Sequence, residues 1–254
     1  PEDMYRQEYL AEFIEAESSY LSSKDIDSCT RPIQMCKRGI PDREYYIGVD
    51  LAKKRDKFVL LVMELVKRSR LVGQIVHIVE KHGIDYHDQV DIIKDRIFRF
   101  EPQRCWVDQS GAGEMPVEAL KFDNNLKVEG VIMSLTKKET LYSHLKRYTE
   151  TQTIQFPPQE KLIKELKELN YEHTHSGQHI KIHGEVYDDY PDALALVVQG
   201  ITRRSPNPTL EKLDYESTHQ MPMDIVSRDS YKVNVKASDV SAMIRKMRND
   251  LGWK

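Results

Sequence analysis

The sequence predicts an α/β fold whose central sheet opens with three strands in a row. Three observations predict it. Three apolar, β-branched-rich runs follow one another from Tyr45 with short polar turns between them, helical periods then alternate with short strands, and aspartates end the first and fourth of these strands. The runs are "EYYIGVDLA", "KFVLLVMELV" and "RLVGQIVHIVE", the pattern of a meander. After them "HDQVDIIKDRIFRF" has a helical period, "RCWVDQS" reads as a short strand, "GAG" as a turn, "EMPVEALKF" as a helix and "VEGVIMS" as a strand. The order is β-β-β-α-β-α-β.

Downstream, "TKKETLYSHLKRYTETQ" predicts a helix opened by Thr136 with Glu139 three residues on, a capping-box spacing. "PQEKLIKELKELNYE" predicts a second helix with Pro158 near its start. In "HTHSGQHIKIHGE" a Ser-Gly turn leads into alternation, Ile180 and Ile182 on one face and His179, Lys181 and His183 on the other, which predicts a small β-hairpin. "DDYPDALALVVQGITRR" is then one apolar helix entered through acids, which favour a helix N-terminus. Residues 1–43 are charged and Ser-rich with a short helical pattern in "MYRQEYLAEFIEA", and read as an arm or the trailing end of something larger. Residues 44–204 form the domain proper, and 205–254 read as a linker with a tail helix in "SDVSAMIRKMRNDLGWK".

The 254 residues suffice for one large domain with appendages. With 38 Lys+Arg against 41 Asp+Glu there is no global field for nucleic acid, so any such contact must come from local patches. Cys29, Cys36 and Cys105 form no C-x-x-C pair and read as reduced, structural thiols. No apolar run reaches the roughly 20 residues needed to span a bilayer, and "PEDMYRQEYL" has no signal-peptide core. A soluble, intracellular protein with no membrane partner is expected. The start on Pro1 implies a processed or trimmed N-terminus.

Acids stand where packing does not ask for them. Asp50 ends the first strand, Asp108 ends "CWVD", and Asp188, Asp189 and Asp192 crowd the start of the last apolar helix. A right-handed crossover places the fourth strand parallel beside the first. Asp50 and Asp108 then become neighbours at the carboxyl ends of adjacent strands, where α/β folds gather their sites. Spacings of three and four residues let Asp188, Asp189 and Asp192 share one helical face. Carboxylates crowded in one cleft stay ionised together only beside a cation, and hard oxygen donors suit Mg²⁺ or Mn²⁺. A two-metal phosphodiester cleavage site accounts for them without a Ser or His nucleophile.

The motifs "YYIGVDLAKKRD", "CWVDQSGAGE" and "YDDYPDALAL", with the hairpin ahead of the last, resemble the C-terminal nuclease domain of the large terminase subunit of tailed viruses. The resemblance covers about residues 44–202, and "MYRQEYLAEF" is similar to the segment joining the terminase ATPase to its nuclease. It implies an RNase H-like, RuvC-like fold: a mixed central sheet flanked by helices, with a small hairpin before the last core helix. It places Asp50, Asp108, Asp189 and Asp192 in the catalytic, metal-binding positions, with Asp188 adjacent and Asp56 at an auxiliary acidic position. It also implies two Mg²⁺ or Mn²⁺ ions and concatemeric double-stranded DNA as substrate. The implied partners are the ATPase domain, the small terminase subunit and the portal, in the host cell cytoplasm. Two departures stand out. Tyr187 occupies the place where a histidine usually precedes the paired aspartates, and no G-x-x-x-x-G-K-[ST] loop occurs, which excludes the packaging motor itself from this chain.

Other features carry plainer readings. Lys53, Lys54 and Arg55 beside Asp50, and His179 with Lys181 on the hairpin, are candidate contacts for a phosphate backbone. Lys137, Lys138, Lys146 and Arg147 are weaker DNA candidates, since a charge run is usually a solvated face. Glu114 reads as a first-turn helix acid, Trp106 as core, and the histidines around the hairpin lack the cysteines of a zinc site. The competing functions are a junction resolvase or transposase of the same fold and a non-catalytic docking module. A sugar-kinase or actin-like ATPase also competes, but it needs a glycine-rich turn where "LAKKRD" stands.

Overall fold

A computed structural model describes residues 19–52, 57–67, 70–122, 126–174, 177 and 179–204. The helices expected in "MYRQEYLAEFIEA" and "SDVSAMIRKMRNDLGWK" lie outside the described residues. From the stretch read as an arm, Tyr20, Leu21, Ile26 and Cys29 are buried in the core. Ile26 and Cys29 belong to α1 (Ser23–Cys29), whose first turn is closed by Ser22 Oγ accepting from Asp25 N.

β1 (Glu44–Asp50), β2 (Lys57–Lys67) and β3 (Leu71–His82) form the expected antiparallel meander. α2 (Tyr86–Phe100) returns the chain, and β4 (Arg104–Asp108) enters parallel to β1, as the crossover rule predicts. α3 (Glu114–Lys121) then leads to β5 (Val128–Val131), parallel to β4. The two-residue β6 (Ile154–Gln155) pairs with β3 and completes a six-stranded mixed sheet in the order β5-β4-β1-β2-β3-β6. β6 is too short for periodicity to mark.

Strand alternation decides the layers. Tyr45, Ile47, Val49, Phe58, Leu60, Val62, Cys105 and Val107 point to one face, where Val90, Ile93 and Ile97 of α2 and Val117 and Leu120 of α3 cover them. Tyr46, Val59, Leu61, Met63 and Trp106 point to the other, beneath α4 (Leu135–Glu150), α5 (Glu160–Lys167) and α6 (Asp189–Val197). With both faces covered, the central strands read as near-continuous apolar runs. Trp106 stacks on Tyr46 with ring centroids 5.7 Å apart, as a core residue.

Local chemistry corrects three expectations. α4 is capped by Ser134, whose Oγ accepts from Lys137 N, so Thr136 lies inside the helix and is no capping-box residue. Ser134 is the last extended residue after β5, and the helix starts as soon as its hydroxyl can cap. α5 stops at Lys167, and "LNYEH" continues as β7 (Leu169–His173), paired antiparallel with β8 (Ile180–Gly184). Cross-strand pairing there overrides the helical period. The last helix is two, α6 and α7 (Gln199–Arg204), separated at Val198. Gly200 of α7 lies against the Tyr46 ring, where a Cβ would stand 2.5 Å from Cγ.

Candidate functional site

Parity along two strands aims two aspartates at α6. Val49 and Val107 are the last residues at which β1 and β4 pair with each other and lie on the sheet face away from α6, so Asp50 and Asp108, one residue on, point toward it. Gly48 makes the approach close. A Cβ there would lie 2.3 Å from the carbonyl oxygen of Ala193, so the backbones of β1 and α6 touch. Asp108 Oδ1 accepts from Ser110 N at 2.8 Å, and Ser110 Oγ in turn accepts from Met133 N at 2.9 Å, tying the ends of β4 and β5 together.

α6 brings the remaining acids. Asp188 is its N-cap residue, and Asp189 and Asp192 lie in its first turn. The five carboxylates Asp50, Asp108, Asp188, Asp189 and Asp192 therefore gather at one end of the sheet. Burial raises the pKa of Asp50 well above the ordinary carboxylate range, and the charges of Asp192, Asp108, Asp189 and Asp188 push it further. Asp192 is raised to about 7, by burial first and by Asp188, against the opposing pull of Lys138 and the Tyr142 hydroxyl. Asp189 is raised by burial, opposed by Lys57.

Two lysines answer this charge. Lys138 Nζ, on α4, lies 2.7 Å from Asp188 Oδ2 and 3.1 Å from Asp192 Oδ2, while Tyr142 OH donates to Asp192 Oδ1 at 2.6 Å. Lys57 Nζ, on β2, pairs with Glu165 of α5 and lies 3.0 Å from Asp189 Oδ2 and 4.3 Å from the centre of the Tyr187 ring. Glu165 Oε2 also accepts from Tyr190 N at 3.0 Å, and Tyr190 OH donates to Glu80 at 2.9 Å, which stakes the first turn of α6 to α5 and β3. Sequence reasoning missed Lys57, Tyr142 and Glu165 and gave Lys138 only a weak reading as a DNA contact. The available signals were a lysine opening a largely apolar strand and the i, i+4 spacing of Lys138 and Tyr142, which puts both on one face of α4.

The donor set is all oxygen, which fits a hard divalent cation, and the buried Asp189 Oδ2 has Lys57 Nζ, 3.0 Å away, as its cationic partner. Among the described residues no three His, Cys, Asp or Glu side chains already close around one metal-sized point. The lysines hold Asp188, Asp189 and Asp192 instead.

The other site expectations fall in various places. His179 Nδ1 lies 2.9 Å from Glu139 Oε2 of α4, a contact that ties the hairpin to that helix, and Lys181 is exposed on β8. Lys53, Lys54, Arg55 and Asp56 lie outside the described residues. Glu114 is exposed in the first turn of α3, as expected of a helix acid. Cys29 and Cys105 are buried free thiols and Cys36 is a half-buried one. Among the described residues no helix is long and apolar enough to cross a membrane.

Comparison with known proteins follows the same lines. A family model described as the terminase RNase H-like domain matches residues 47–198. The terminase large subunit of Thermus virus P23-45 is 28% identical over 205 residues, 77% of this chain and 41% of that protein. The chain thus spans less than half the length of the curated relatives it matches. Among solved structures, the large terminase nuclease from thermophilic phage G20c superposes with a TM-score of 0.60 at 22% identity, over 72% of this chain and 98% of that one. The same nuclease with bound magnesium gives 0.60 at 24% identity, with the same coverage. The likeness shows an RNase H-like fold, a mixed six-stranded sheet between helices, as the motifs implied. The family match takes in more than half of the sequence, from β1 to the end of α6, and the chain belongs to the terminase RNase H-like domain family.

Proposed function

We propose that this chain is the nuclease part of a viral DNA-packaging terminase, an endonuclease that cuts concatemeric double-stranded DNA by metal-dependent phosphodiester hydrolysis. The observation that carries the proposal is the crowding of Asp50 by Asp192, Asp108, Asp189 and Asp188. A protein gains nothing in stability from such mutual repulsion, and a cation is its natural complement. Asp50, Asp108, Asp189 and Asp192, with Asp188 beside them, are the residues that would hold two Mg²⁺ or Mn²⁺ ions. When bound, such a pair activates water and steadies the charge of the leaving oxygen.

The chain's own residues supply the rest. β1 and β4 fix Asp50 and Asp108 on rigid strand ends, and Gly48 lets α6 lie close enough to complete the set. Lys181 on the exposed side of the hairpin, together with Lys53, Lys54 and Arg55, would meet the phosphate backbone. An ATPase domain, a small terminase subunit and a portal are the partners such a domain would serve, in the cytoplasm of the host cell. The bound magnesium of the G20c nuclease supports the choice of a divalent ion.

Supercoiled plasmid incubated with the purified protein and Mn²⁺ or Mg²⁺ is expected to be nicked and linearised, and EDTA is expected to stop it. Four-way junctions are expected to be cut no faster than plain duplex. Intact plasmid, together with no Mn²⁺ binding by calorimetry, overturns the reading. A strong junction preference transfers it to a resolvase.

A further inference from the structure

We infer that Lys138 is a built-in counter-ion for the acid cluster, a tethered ammonium that holds Asp188 and Asp192 together until a divalent ion displaces it. The inference rests on the metal-site reading above. Its ground is where the lysine sits and what it lacks. Lys138 lies in the first turn of α4, at the positive end of a helix, where a cation is disfavoured and an acid is usual. Two acids offset that cost: the only ion-pair partners of Lys138 among the described residues are Asp188 and Asp192. The side chain is 19% exposed and its Nζ stands 5.4 Å from the centre of the Tyr142 ring, so the ammonium is drawn inward rather than spread into solvent.

The contrast with Lys57 sharpens the assignment. Lys57 touches the cluster through Asp189 but is also paired with Glu165, a carboxylate outside it, so its charge remains matched whatever happens at the sheet edge. Lys138 has no second anchor of that kind among the described residues. Its Nζ bridges two carboxylates from the N-cap and first turn of α6, a place a metal ion also requires. A monovalent ammonium and a divalent ion cannot share it, because the like charges repel strongly at contact distance. This accounts for the acids lying together without already enclosing a metal-sized point. Lys138 is a positioning residue: it keeps the acid-bearing turn of α6 in place when no metal is bound and sets the metal concentration at which the site loads.

Isothermal calorimetry with Mn²⁺ on the whole chain tests this, alongside melting curves in EDTA and in Mn²⁺. Lys138→Met, which keeps the apolar stem and removes the charge, is expected to bind Mn²⁺ at least about tenfold more tightly than the parent. It is also expected to melt lower in EDTA and to gain more from Mn²⁺. Lys138→Arg, which retains the charge, is expected to stay within about threefold of the parent affinity. Lys138→Gln keeps a hydrogen-bond donor and serves as the neutral variant if the methionine form does not fold. Neutral variants that bind Mn²⁺ no more tightly than the parent overturn the inference and leave the metal reading standing. Absence of binding by the parent and by every variant overturns both.

Discussion

Asp50→Asn is expected to raise the melting temperature of the metal-free protein while abolishing its cleavage of DNA. The two effects have one cause. Asp50 is desolvated and faces four other carboxylates, so its charge opposes folding, and the amide removes that charge at almost constant shape. A gain of about 1 kcal/mol or more is expected, a rise of about 2–4 °C for a domain of this size. The loss of metal-held charge stabilisation is worth several kcal/mol, on the order of a thousandfold in rate. The same physics sets a pH dependence in EDTA. Asp50 and Asp192 have folded-state pKa values above their unfolded ones, that of Asp192 at about 7, so the folded state binds more protons at mildly acidic pH. The contribution of Asp192 is fully present below the ordinary carboxylate pKa and is lost as pH rises through about 7, and that of Asp50 is lost likewise as pH rises through its own raised folded-state pKa. Calorimetric melts between pH 4 and 8 are expected to show this fall in the parent and a shallower one in Asp50→Asn. An Asp50→Asn protein that melts lower than the parent and still cleaves contradicts the account.

Gly48→Ala is expected to be among the most damaging single methyl groups that can be added to this fold. The new Cβ would lie 2.3 Å from Ala193 O, 2.7 Å from Val197 N and 2.8 Å from Val197 Cβ. Two of these are backbone atoms of a helix buried from Tyr190 to Val197, so no flexible side chain is available to yield. Either β1 or α6 must move, at a cost of about 3 kcal/mol or more. Denaturant unfolding should register that loss, and thermal melting a fall of roughly 6–12 °C. Because α6 carries Asp189 and Asp192 and is capped by Asp188, any displacement also draws these acids away from Asp50 and Asp108. Mn²⁺ affinity is therefore expected to fall together with stability. A fully stable Gly48→Ala protein contradicts the packing described here.

Much of this arrangement is legible in the sequence because it follows from periodicity. The stretch "YYIGVDLA" places Ile47 and Val49 on one face and Gly48 and Asp50 on the other, and "CWVD" repeats the parity with Asp108. Once the crossover rule sets the two strands side by side, the convergence of their terminal aspartates is forced. What escapes depends on tertiary contact. β6 exists because a two-residue run meets β3, and β7 exists because β8 pairs with a sequence that has a helical period of its own. Tyr20, Leu21, Ile26 and Cys29 enter the core from a stretch whose composition is that of a solvated arm. The inward turn of Lys57 and Lys138 is hidden for a related reason. A lysine stem is long enough to take its charge to either side of an element, and only the carboxylates waiting on one side decide which.

The most direct test of the acid centre is a crystal of this protein soaked in Mn²⁺ and measured at the manganese absorption edge. The account predicts anomalous peaks between the ends of β1 and β4 and the first turn of α6, about 2.0–2.3 Å from carboxylate oxygens of Asp50, Asp108 and Asp192, with the Lys138 ammonium turned away. A fully soaked crystal without a peak at that place, and with Lys138 still bridging Asp188 and Asp192, would contradict it.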